Sequence, residues 1–356
     1  MKKQSFRTAK KVQPPSAEYA LLSGLKPYLN YTQSASYPVG IGDDAAVRVT
    51  TIGERLVFTA DTFVESVHFS FDYMSGKEVG YKAMVINISD CAAMGATPDA
   101  ALVQVVFPAA LPAHKVQAQM HKLYGGMNEA LCSYDFPVVG GNLSKGPCWI
   151  LDITLIGKIP ARGRPLMRTG VHSGDYLWVT GTPGSSAAGL AALKKWRTRK
   201  DVPQAYRSLV RAHVHPEARI AAGLACARNK AVHAMIDISD GIAKECRTMS
   251  YDNNLGIILD DVALLSLASP MRGLADKLKT PVRDWLLYGG EDYELLFAAA
   301  PEFDPALLPD DNGCGYTCIG IVTDAISGVH IRESSGMFTP VTDAGWDHLK
   351  KPLHCV

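Results

Sequence analysis

Six aspartates occupy turns, a strand end and an apolar helical stretch in which carboxylates can act together. They are Asp43 and Asp44 in a glycine-flanked turn, Asp61 directly after the strand run 56–60, Asp90 within the helical stretch 76–94, and Asp237 and Asp240 on either side of Ser239. Their neighbours are mostly small or apolar, and only Arg48 and Lys244 lie within one helical turn. Buried carboxylates that share a site need cations to neutralise them, and Mg²⁺ takes oxygen ligands. The set therefore predicts a site for several magnesium ions and a phosphate-rich substrate.

Each aspartate also has a purely structural interpretation as a helix cap or a turn residue. Asp240 stands directly before Gly241 and fits a cap about as well as it fits a ligand. Asp90 fits that interpretation poorly, because it lies inside the predicted helix 76–94 and not at its start. The prediction therefore rests on the set and not on any single member.

Two glycine-rich segments are compatible with a phosphate site. The segment 139–147 follows the β-type run 136–139 and is predicted to form a flexible turn that presents Ser144 and Lys145. The segment 181–189 leads into a predicted helix whose N-terminal amides could meet an anion. An ordinary turn remains the alternative for both segments.

Common nucleotide-binding and hydrolase motifs are absent from the sequence. It contains no Gly-x-x-x-x-Gly-Lys-[Ser/Thr], no His-Glu-x-x-His and no Gly-x-Ser-x-Gly. Residues 40–45 match the dinucleotide fingerprint Gly-x-Gly-x-x-Ala, but a β-type run follows them where that site requires a helix. Asp43 and Asp44 also stand where a pyrophosphate needs backbone amides, so we reject this interpretation.

Length and composition predict about two globular domains. The chain has 356 residues, of which 47% are hydrophobic and 20% charged. The formal net charge of +1 gives no support for binding nucleic acid, and no apolar run is long enough to span a membrane. No secretory signal is visible, so we expect a cytoplasmic protein with its eight cysteines as free thiols. Residues 1–15 carry five cations and no acid, which predicts a disordered basic tail.

Strand-type and helix-type patterns alternate along the chain, so the predicted fold class is α/β or α+β. In the first half, strands are predicted at 56–60, 101–107 and 149–159, and helices at 16–26, 76–94 and 112–134. In the second half, strands are predicted at 176–180 and 234–238 and around Ile257, Leu295 and Ile319, and helices at 184–196, 215–226 and 241–251. The stretch 161–174 is rich in glycine and arginine and predicts a boundary between domains 16–165 and 166–356.

Taken in order, six motifs resemble those of the thiamine-monophosphate kinase family. They are Gly-Ile-Gly-Asp-Asp-Ala-Ala at 40–46, Asp-Thr-x-Val-x-x-x-His-Phe at 61–69, Asn-x-Ser-Asp-x-Ala-Ala-Met-Gly-Ala at 87–96, Gly-Thr-Pro-Gly-x-Ser-Ala-Ala-Gly-Leu at 181–190, Asp-x-Ser-Asp-Gly at 237–241 and Gly-Gly-Glu-Asp-Tyr-Glu-Leu at 289–295. The superfamily is that of aminoimidazole-ribonucleotide synthetase, selenophosphate synthetase and the hydrogenase-maturation dehydratase. The resemblance implies a two-domain fold of this superfamily, with an N-terminal domain that binds ATP and magnesium and whose sheet pairs across a homodimer. It also implies direct, in-line phosphoryl transfer from ATP to thiamine monophosphate, which gives ADP and thiamine diphosphate.

By position in these motifs, the resemblance implies three sets of site residues. The implied ligands of several Mg²⁺ ions are Asp44, Thr59, Asp61, Asp90, Asn142, Asp237 and Asp240. The implied ATP contacts are Tyr124, Gly141, Asn142, Arg168 and Ser239, and the implied contacts of thiamine monophosphate are His68, Glu291 and Trp346. No catalytic general base is expected, because a phosphate monoester with a second pKa of about 6 is already largely ionised near neutral pH.

Three positions depart from the family's pattern. Asn142 stands where an aspartate is common, Ala60 where a threonine often precedes the aspartate, and Lys145 where arginine is usual. Asn142 keeps an oxygen ligand but removes one negative charge from a metal site, and Lys145 loses bidentate phosphate geometry. Two alternatives stay open: an ATP-dependent synthetase or ligase of the same superfamily, and a catalytically weakened relative that binds metal and nucleotide.

Overall fold

The computed structural model describes residues 14–17, 19–21, 35–40, 43–310, 313–342, 345–347 and 349. Most of the predicted basic tail (1–15) and of the predicted helix 16–26 lies outside these residues, as do residues 41–42 of the first motif. The described chain forms two sheets with helices packed against them, so the predicted mixed α/β class is confirmed. No helix in this part of the chain is long and apolar enough to cross a membrane.

The first half of the chain forms a five-stranded sheet in the order β1-β2-β5-β3-β4. Its strands are β1 (Ala46–Val49), β2 (Arg55–Val64), β3 (Thr97–Pro108), β4 (Val138–Gly146) and β5 (Ile150–Ile159). Helix α1 (Gly76–Ala93) packs against β2, β3 and β5, and helix α2 (Ala113–Tyr134) packs against α1. Strands β3 and β4 are parallel, because α2 carries the chain back between them.

The second half forms a seven-stranded sheet in the order β12-β11-β8-β10-β6-β9-β7. Its strands are β6 (Tyr176–Thr180), β7 (Val232–Ile238), β8 (Gly256–Asp260), β9 (Glu294–Ala299), β10 (Tyr316–Thr323), β11 (Val329–Arg332) and β12 (Phe338–Pro340). Its helices are α3 (Ser185–Trp196), α4 (Arg207–Val214), α5 (Ile220–Arg228), α6 (Ile242–Asn253), α7 (Asp261–Ser266), α8 (Arg272–Leu278) and α9 (Val282–Tyr288), with short 3₁₀ turns at Arg199–Asp201, Gln204–Tyr206 and Pro305–Leu307. The segment between the two sheets contains the boundary predicted between residues 165 and 166.

Helix α1 is shared by both halves of the chain. A capping box starts it, in which the Ser75 side chain accepts from the Glu78 N–H and the Glu78 carboxylate accepts from the Ser75 N–H at 2.9 Å. The helix is buried on nearly all sides, because it packs against the first sheet, α2, α5 and β7. Gly80 permits the contact with α2, since a Cβ there would lie 1.9 Å from the Leu123 carbonyl oxygen. The helix can therefore present side chains to both domains.

Three details predicted from the sequence are wrong. Asp61 lies within β2 and not after it, because β2 pairs with β5 along its whole length. Most of the segment 139–147 forms the edge strand β4, paired with β3, instead of a flexible turn. The helix predicted at 215–226 begins only at Ile220, because Pro216 disfavours helical backbone at His215 and the chain turns there between α4 and α5.

Candidate functional site

The carboxylate of Asp90 meets β2 between α1 and the first sheet. Asp90 lies in the last turn of α1, where Thr59 Oγ1 donates a hydrogen bond to Asp90 Oδ2. One turn earlier, Asn87 Oδ1 accepts a hydrogen bond of 3.2 Å from the backbone N–H of Asp61. Alternate residues of a strand share a face, so the side chains of Thr59 and Asp61 lie on the same side of β2. The structure thus brings together Thr59, Asp61 and Asp90, three of the predicted magnesium ligands.

Asp237 joins this group from the second domain. It lies near the C-terminal end of β7 and is 4% exposed. Ser89 Oγ donates a hydrogen bond of 2.7 Å to Asp237 Oδ2. Because Ser89 directly precedes Asp90 on α1, this hydrogen bond connects the two domains beside the predicted metal ligands.

Asp43 and Asp44 reach the group from the loop before β1. Arg168 Nη2 lies 2.7 Å from Asp44 Oδ1, and Arg168 Nε lies 3.7 Å from Asp43 Oδ1. The backbone N–H of Arg168 also donates to Asp43 Oδ1 at 3.3 Å. Arg168 was predicted as an ATP contact, and in the structure its guanidinium fixes the position of this loop.

The clustered carboxylates raise one another's pKa. Burial, together with the charges of Asp44 and Asp61, raises the pKa of Asp237 to about 8. Burial and the charge of Asp240 raise the pKa of Asp61 to about 6. Burial and the charges of Asp61 and Asp237 raise the pKa of Asp90 well above its ordinary value. These groups cannot all become anions together without a large electrostatic penalty, unless cations join them.

We name Asp44, Asp61, Asp90, Asp237 and Asp240 the carboxylate cluster. Two of its members have a protein cation, because Lys244 Nζ lies 2.6 Å from Asp240 Oδ2 and Arg168 binds Asp44. Among the residues that the structure describes, the other three have no lysine, arginine or histidine within ion-pair distance. A cluster with many carboxylate oxygens and few protein cations is suited to bind hard divalent ions such as Mg²⁺.

Asp240 does not cap the helix that follows it, so the capping interpretation is wrong. The N-cap of α6 is Gly241, with φ of 105°, and no side chain forms a capping hydrogen bond there. The carboxylate of Asp240 binds Lys244 instead, and its backbone N–H donates to Glu245 Oε1 at 3.0 Å. The charge of Asp240 acts on Asp61, which agrees with a place in the cluster.

Glu291 lies where α1 meets the second domain. Lys82 Nζ is 3.0 Å from Glu291 Oε1, and His213 Nδ1 is 3.6 Å from Glu291 Oε2. The backbone N–H of Glu291 donates to the Ser239 carbonyl at 2.7 Å, which ties it to the segment after β7. The Lys82 side chain is fully buried and the Glu291 side chain is 26% exposed, so the carboxylate keeps an open edge.

Sequence reasoning did not assign a role to Asp292, the next acid of the 289–295 motif. Its Oδ2 accepts a hydrogen bond of 2.6 Å from the Gly184 N–H, and its Oδ1 accepts one of 3.0 Å from the Ser186 N–H. These are N-terminal amides of α3, so the anion that meets this helix end is a carboxylate of the chain itself. The expectation that they bind a substrate anion is corrected accordingly.

Glu294 was also not assigned, and it joins three elements of the second domain. Its two carboxylate oxygens each lie 2.7 Å from the Arg219 guanidinium, which precedes α5. Thr180 Oγ1 at the end of β6 donates a further hydrogen bond of 2.5 Å to Oε2. The motif therefore combines one partly exposed acid with two buried structural acids, and its sequence alone does not distinguish them.

His68 and Trp346 lie close to the elements that carry the cluster. His68 Nδ1 accepts a hydrogen bond of 3.0 Å from the Val64 N–H, and its ring stacks on Phe63 at 5.8 Å between centroids. Trp346 is half-buried, and a Cβ on its neighbour Gly345 would lie 3.4 Å from the Asp240 carbonyl oxygen. Gly345, and with it the neighbouring Trp346, therefore lies beside the Asp240 turn.

A groove at the outer edge of the first sheet, separate from the carboxylate cluster, is lined by Tyr124, Gly141 and Asn142. Together with Val103 and Leu143 they line this open groove of about 430 Å³ between α2 and β4. Gly141 has to be glycine, because a Cβ there would lie 1.9 Å from the Val103 carbonyl oxygen and break the β3–β4 pairing. These predicted ATP contacts therefore lie together, but away from the carboxylate cluster.

Asn142 lies on the opposite face of the first sheet from Asp61. The strand register places Asn142 beside Gln104, and Gln104 beside Asp152. Asp152 in turn accepts a hydrogen bond of 2.8 Å from Thr62 Oγ1. Thr62 directly follows Asp61, so their side chains point to opposite faces. Within one chain, the structure does not bring Asn142 to the other predicted magnesium ligands.

Comparison with protein families assigns a class to this fold and site. The model "AIR synthase related protein, N-terminal domain" matches residues 42–159, and the model "AIR synthase related protein, C-terminal domain" matches residues 172–330. The two matched regions contain the first sheet and most of the second, respectively. The fold is thus that of a two-domain protein related to AIR synthase.

Individual relatives narrow this class. Thiamine-monophosphate kinase of Salmonella typhimurium is 34% identical over 316 residues, which cover 88% of this chain and 92% of the relative. The Escherichia coli thiamine-monophosphate kinase is 33% identical over 320 residues, which cover 88% of this chain and 93% of the relative. A solved structure described as "AaThiL complexed with AMPPCP and TMP" is 28% identical with a TM-score of 0.78, and the match covers 97% of this chain and all of that chain. The chain belongs to the thiamine-monophosphate kinase family.

Proposed function

We propose that this protein transfers the terminal phosphoryl group of ATP to the phosphate of thiamine monophosphate, which gives ADP and thiamine diphosphate. The names of the relatives support this reaction, as does the related structure with AMPPCP and TMP. The observation that carries the proposal for this chain is the meeting of Asp61, Asp90 and Asp237 from both domains without ion-pair partners among the described residues. Buried carboxylates without protein cations attract metal ions, and bound metal ions in turn attract phosphate groups.

The carboxylate cluster and Thr59 are proposed to hold several Mg²⁺ ions. When bound there, the ions would neutralise the phosphate charges and stabilise the transferring phosphoryl group. Asn87 and Ser89 of α1 fix the backbone of Asp61 and the carboxylate of Asp237, so the ligands are positioned before a substrate arrives. Arg168 keeps Asp44 in place, and the amide of Asn142 is a further oxygen ligand only if another chain supplies it.

The acceptor needs no base from the protein. A phosphate monoester is mostly a dianion at neutral pH, so the attacking oxygen is already deprotonated. The main barrier is repulsion between two polyanions, which positioning and charge neutralisation reduce. The chain's own contribution is therefore to orient thiamine monophosphate through His68, Glu291 and Trp346, and ATP through Ser239 and Arg168.

We also propose that two copies pair through the edge strand β4. Val139 and Leu143 on this strand are 62% and 57% exposed, and no described strand pairs with its outer edge. Unpaired edges with apolar side chains favour association with another chain. In such a dimer the groove of Tyr124, Gly141 and Asn142 lies at the interface, where it can add ATP contacts to a site on the partner.

The central test is the substitution Asp90→Asn, assayed with ATP, thiamine monophosphate and Mg²⁺. We expect turnover to fall by at least about 100-fold, because a ligand charge is lost while the side-chain shape is kept. Asp276→Asn, on the exposed surface of α8, is the matched control and should retain wild-type turnover. Near-normal rates for Asp90→Asn would contradict the assignment of the cluster.

The product distribution separates a kinase from a synthetase of the same superfamily. The kinase forms one thiamine diphosphate for each ADP and releases no inorganic phosphate. A synthetase releases inorganic phosphate and needs a further co-substrate. Release of phosphate in step with ADP, without thiamine diphosphate, would overturn the proposed reaction.

A further inference from the structure

A second group of metal-ligand side chains lies outside the carboxylate cluster, at one edge of the second sheet. His172 and Asp175 precede β6, and His233 lies near the start of β7. The Nδ1 atoms of His172 and His233 are 3.0 Å apart. The two carboxylate oxygens of Asp175 lie 3.0 and 2.9 Å from His233 Nδ1. The proposed phosphoryl transfer uses none of these residues.

The backbone builds this group from two separate elements. The register of β7 against β9 passes from Val232 to Ala234, so His233 is the extra residue of a β-bulge. Bulges redirect a side chain out of the regular alternation of a strand. The other two residues, His172 and Asp175, lie in one tight loop. Asp175 Oδ2 accepts a hydrogen bond of 2.8 Å from the His172 N–H, and the Asp175 N–H donates one of 3.1 Å to the His172 carbonyl.

Hydrogen bonds connect the three side chains, but the two facing imidazole nitrogens cannot both be donors. A neutral imidazole has one N–H, and a hydrogen on His233 Nδ1 faces His172 Nδ1 and both oxygens of Asp175 at once. If His172 Nδ1 also carries a hydrogen, two donors face each other. Asp175 is only 2% exposed, so its carboxylate relies on these neighbours for compensation. One cation bound between the three side chains would take one lone pair from each of them and would add positive charge beside the buried carboxylate.

The spacing of the atoms fits a zinc-type ion. Zinc–nitrogen and zinc–oxygen bonds of about 2.0–2.2 Å place tetrahedral ligands about 3.3 Å apart. The contacts of 3.0 and 2.9 Å are within a few tenths of an ångström of that spacing, and ligand atoms of all three residues lie within 4.8 Å of one another. His172 is exposed, which gives an ion a path from solvent.

We propose that His172, Asp175 and His233 bind one transition-metal ion of the zinc class, independently of the magnesium site. Two imidazole nitrogens and one carboxylate suit Zn²⁺ or its neighbours better than Mg²⁺. Three protein ligands leave at least one coordination position for water or another small ligand. The ion ties the segment between the domains to β7, the strand that carries Asp237.

The test is Zn²⁺ binding by metal-stripped protein without an affinity tag, measured with a competing chromophoric chelator in excess Mg²⁺. We expect the wild type to bind one tight Zn²⁺, and His172→Ala to weaken this binding by more than about tenfold. His114→Ala, an equally exposed histidine on α2, is the matched control and should bind like the wild type. Equal affinity in wild type and His172→Ala, or no tight site in the wild type, would overturn the proposal.

A second measurement guards against misfolding of the variant. Because His172 is exposed, the metal-free His172→Ala variant should melt at the Tm of the metal-free wild type. Its turnover in the kinase assay with Mg²⁺ should also equal that of the wild type. Zn²⁺ should raise the Tm of the wild type by binding only the folded state, and it should leave the Tm of His172→Ala unchanged. An equal rise in both proteins would place the ion elsewhere. The proposed kinase reaction can fail without affecting this result.

Discussion

At the scale of single residues, Asp237 occupies a place where its charge is unfavourable without a metal. In the unfolded chain its pKa is near the ordinary value of about 3.9, whereas in the folded protein it is raised to about 8. Below about pH 4 the carboxyl is protonated in both states, so its ionisation does not lower the stability of the folded state. As the pH rises toward 8, the unfolded chain releases the proton first, so the folded state loses stability.

The substitution Asp237→Asn should therefore stabilise the metal-free protein at high pH. In EDTA we expect little change in Tm near about pH 4, and an increase of at least about 3 °C near about pH 8. With saturating Mg²⁺ the order should reverse, because only the wild type gains full metal binding. Thermal melts at the two pH values check this, with Asp276→Asn as the control. A lower Tm for Asp237→Asn in EDTA at the higher pH would contradict it.

The grouping of Asp61, Asp90 and Asp237 was predictable because no lysine or arginine lies within four residues of any of them in the sequence. Asp292 and Glu294 were not assigned, because their partners are remote in sequence. The partner of Asp292 lies 108 positions away and the guanidinium that binds Glu294 lies 75 positions away. Side-chain chemistry indicates that an acid needs a partner, but only the fold decides whether that partner is a metal, an amide or an arginine.

At the scale of elements, α1 and β4 show what local sequence can and cannot predict. Helix α1 has a capping box and a long apolar helical pattern, so its bounds follow from short-range rules. Strand β4 contains Gly140 and Gly141 and has no alternation of buried and exposed residues, so it resembles a turn. It is a strand because β3 provides hydrogen-bond partners along its length, and this pairing is invisible in the local sequence.

Glu294 allows a test of how the elements of the second domain are held together. Its side chain and that of Arg219 are 9% and 13% exposed, so Glu294→Gln removes the nearer of two anions from a nearly buried guanidinium, which keeps Glu217 at 3.8 Å. We expect the free energy of unfolding to fall by about 2 kcal/mol, measured by urea denaturation, because the remaining partner Glu217 compensates the guanidinium only in part. Glu333→Gln breaks the more exposed pair with Arg283 and should destabilise the protein distinctly less. Equal losses in the two variants would show that the buried pair has no special role.

At the scale of the whole molecule, the proposed dimer depends on the exposed edge of β4. Leu143→Lys places a charge in the middle of this edge and should prevent two chains from pairing. Light scattering coupled to size exclusion should give the mass of two chains for the wild type and one for the variant. Leu307→Lys, at an equally apolar position that is 71% exposed in the second domain, should remain dimeric. A single-chain mass for the wild type would reject the dimer.

Helix α1 also limits how the molecule can move. It belongs to the first domain by sequence, yet Ser89 and Lys82 connect it to Asp237 and Glu291 of the second, and both connections are buried on the helix side. Swinging the domains apart as rigid bodies would break these contacts and expose the apolar surface of the helix to water. Reactants are therefore expected to reach the site without a rigid-body separation of the two domains. For the same reason neither domain, expressed alone, should survive as a stable fragment.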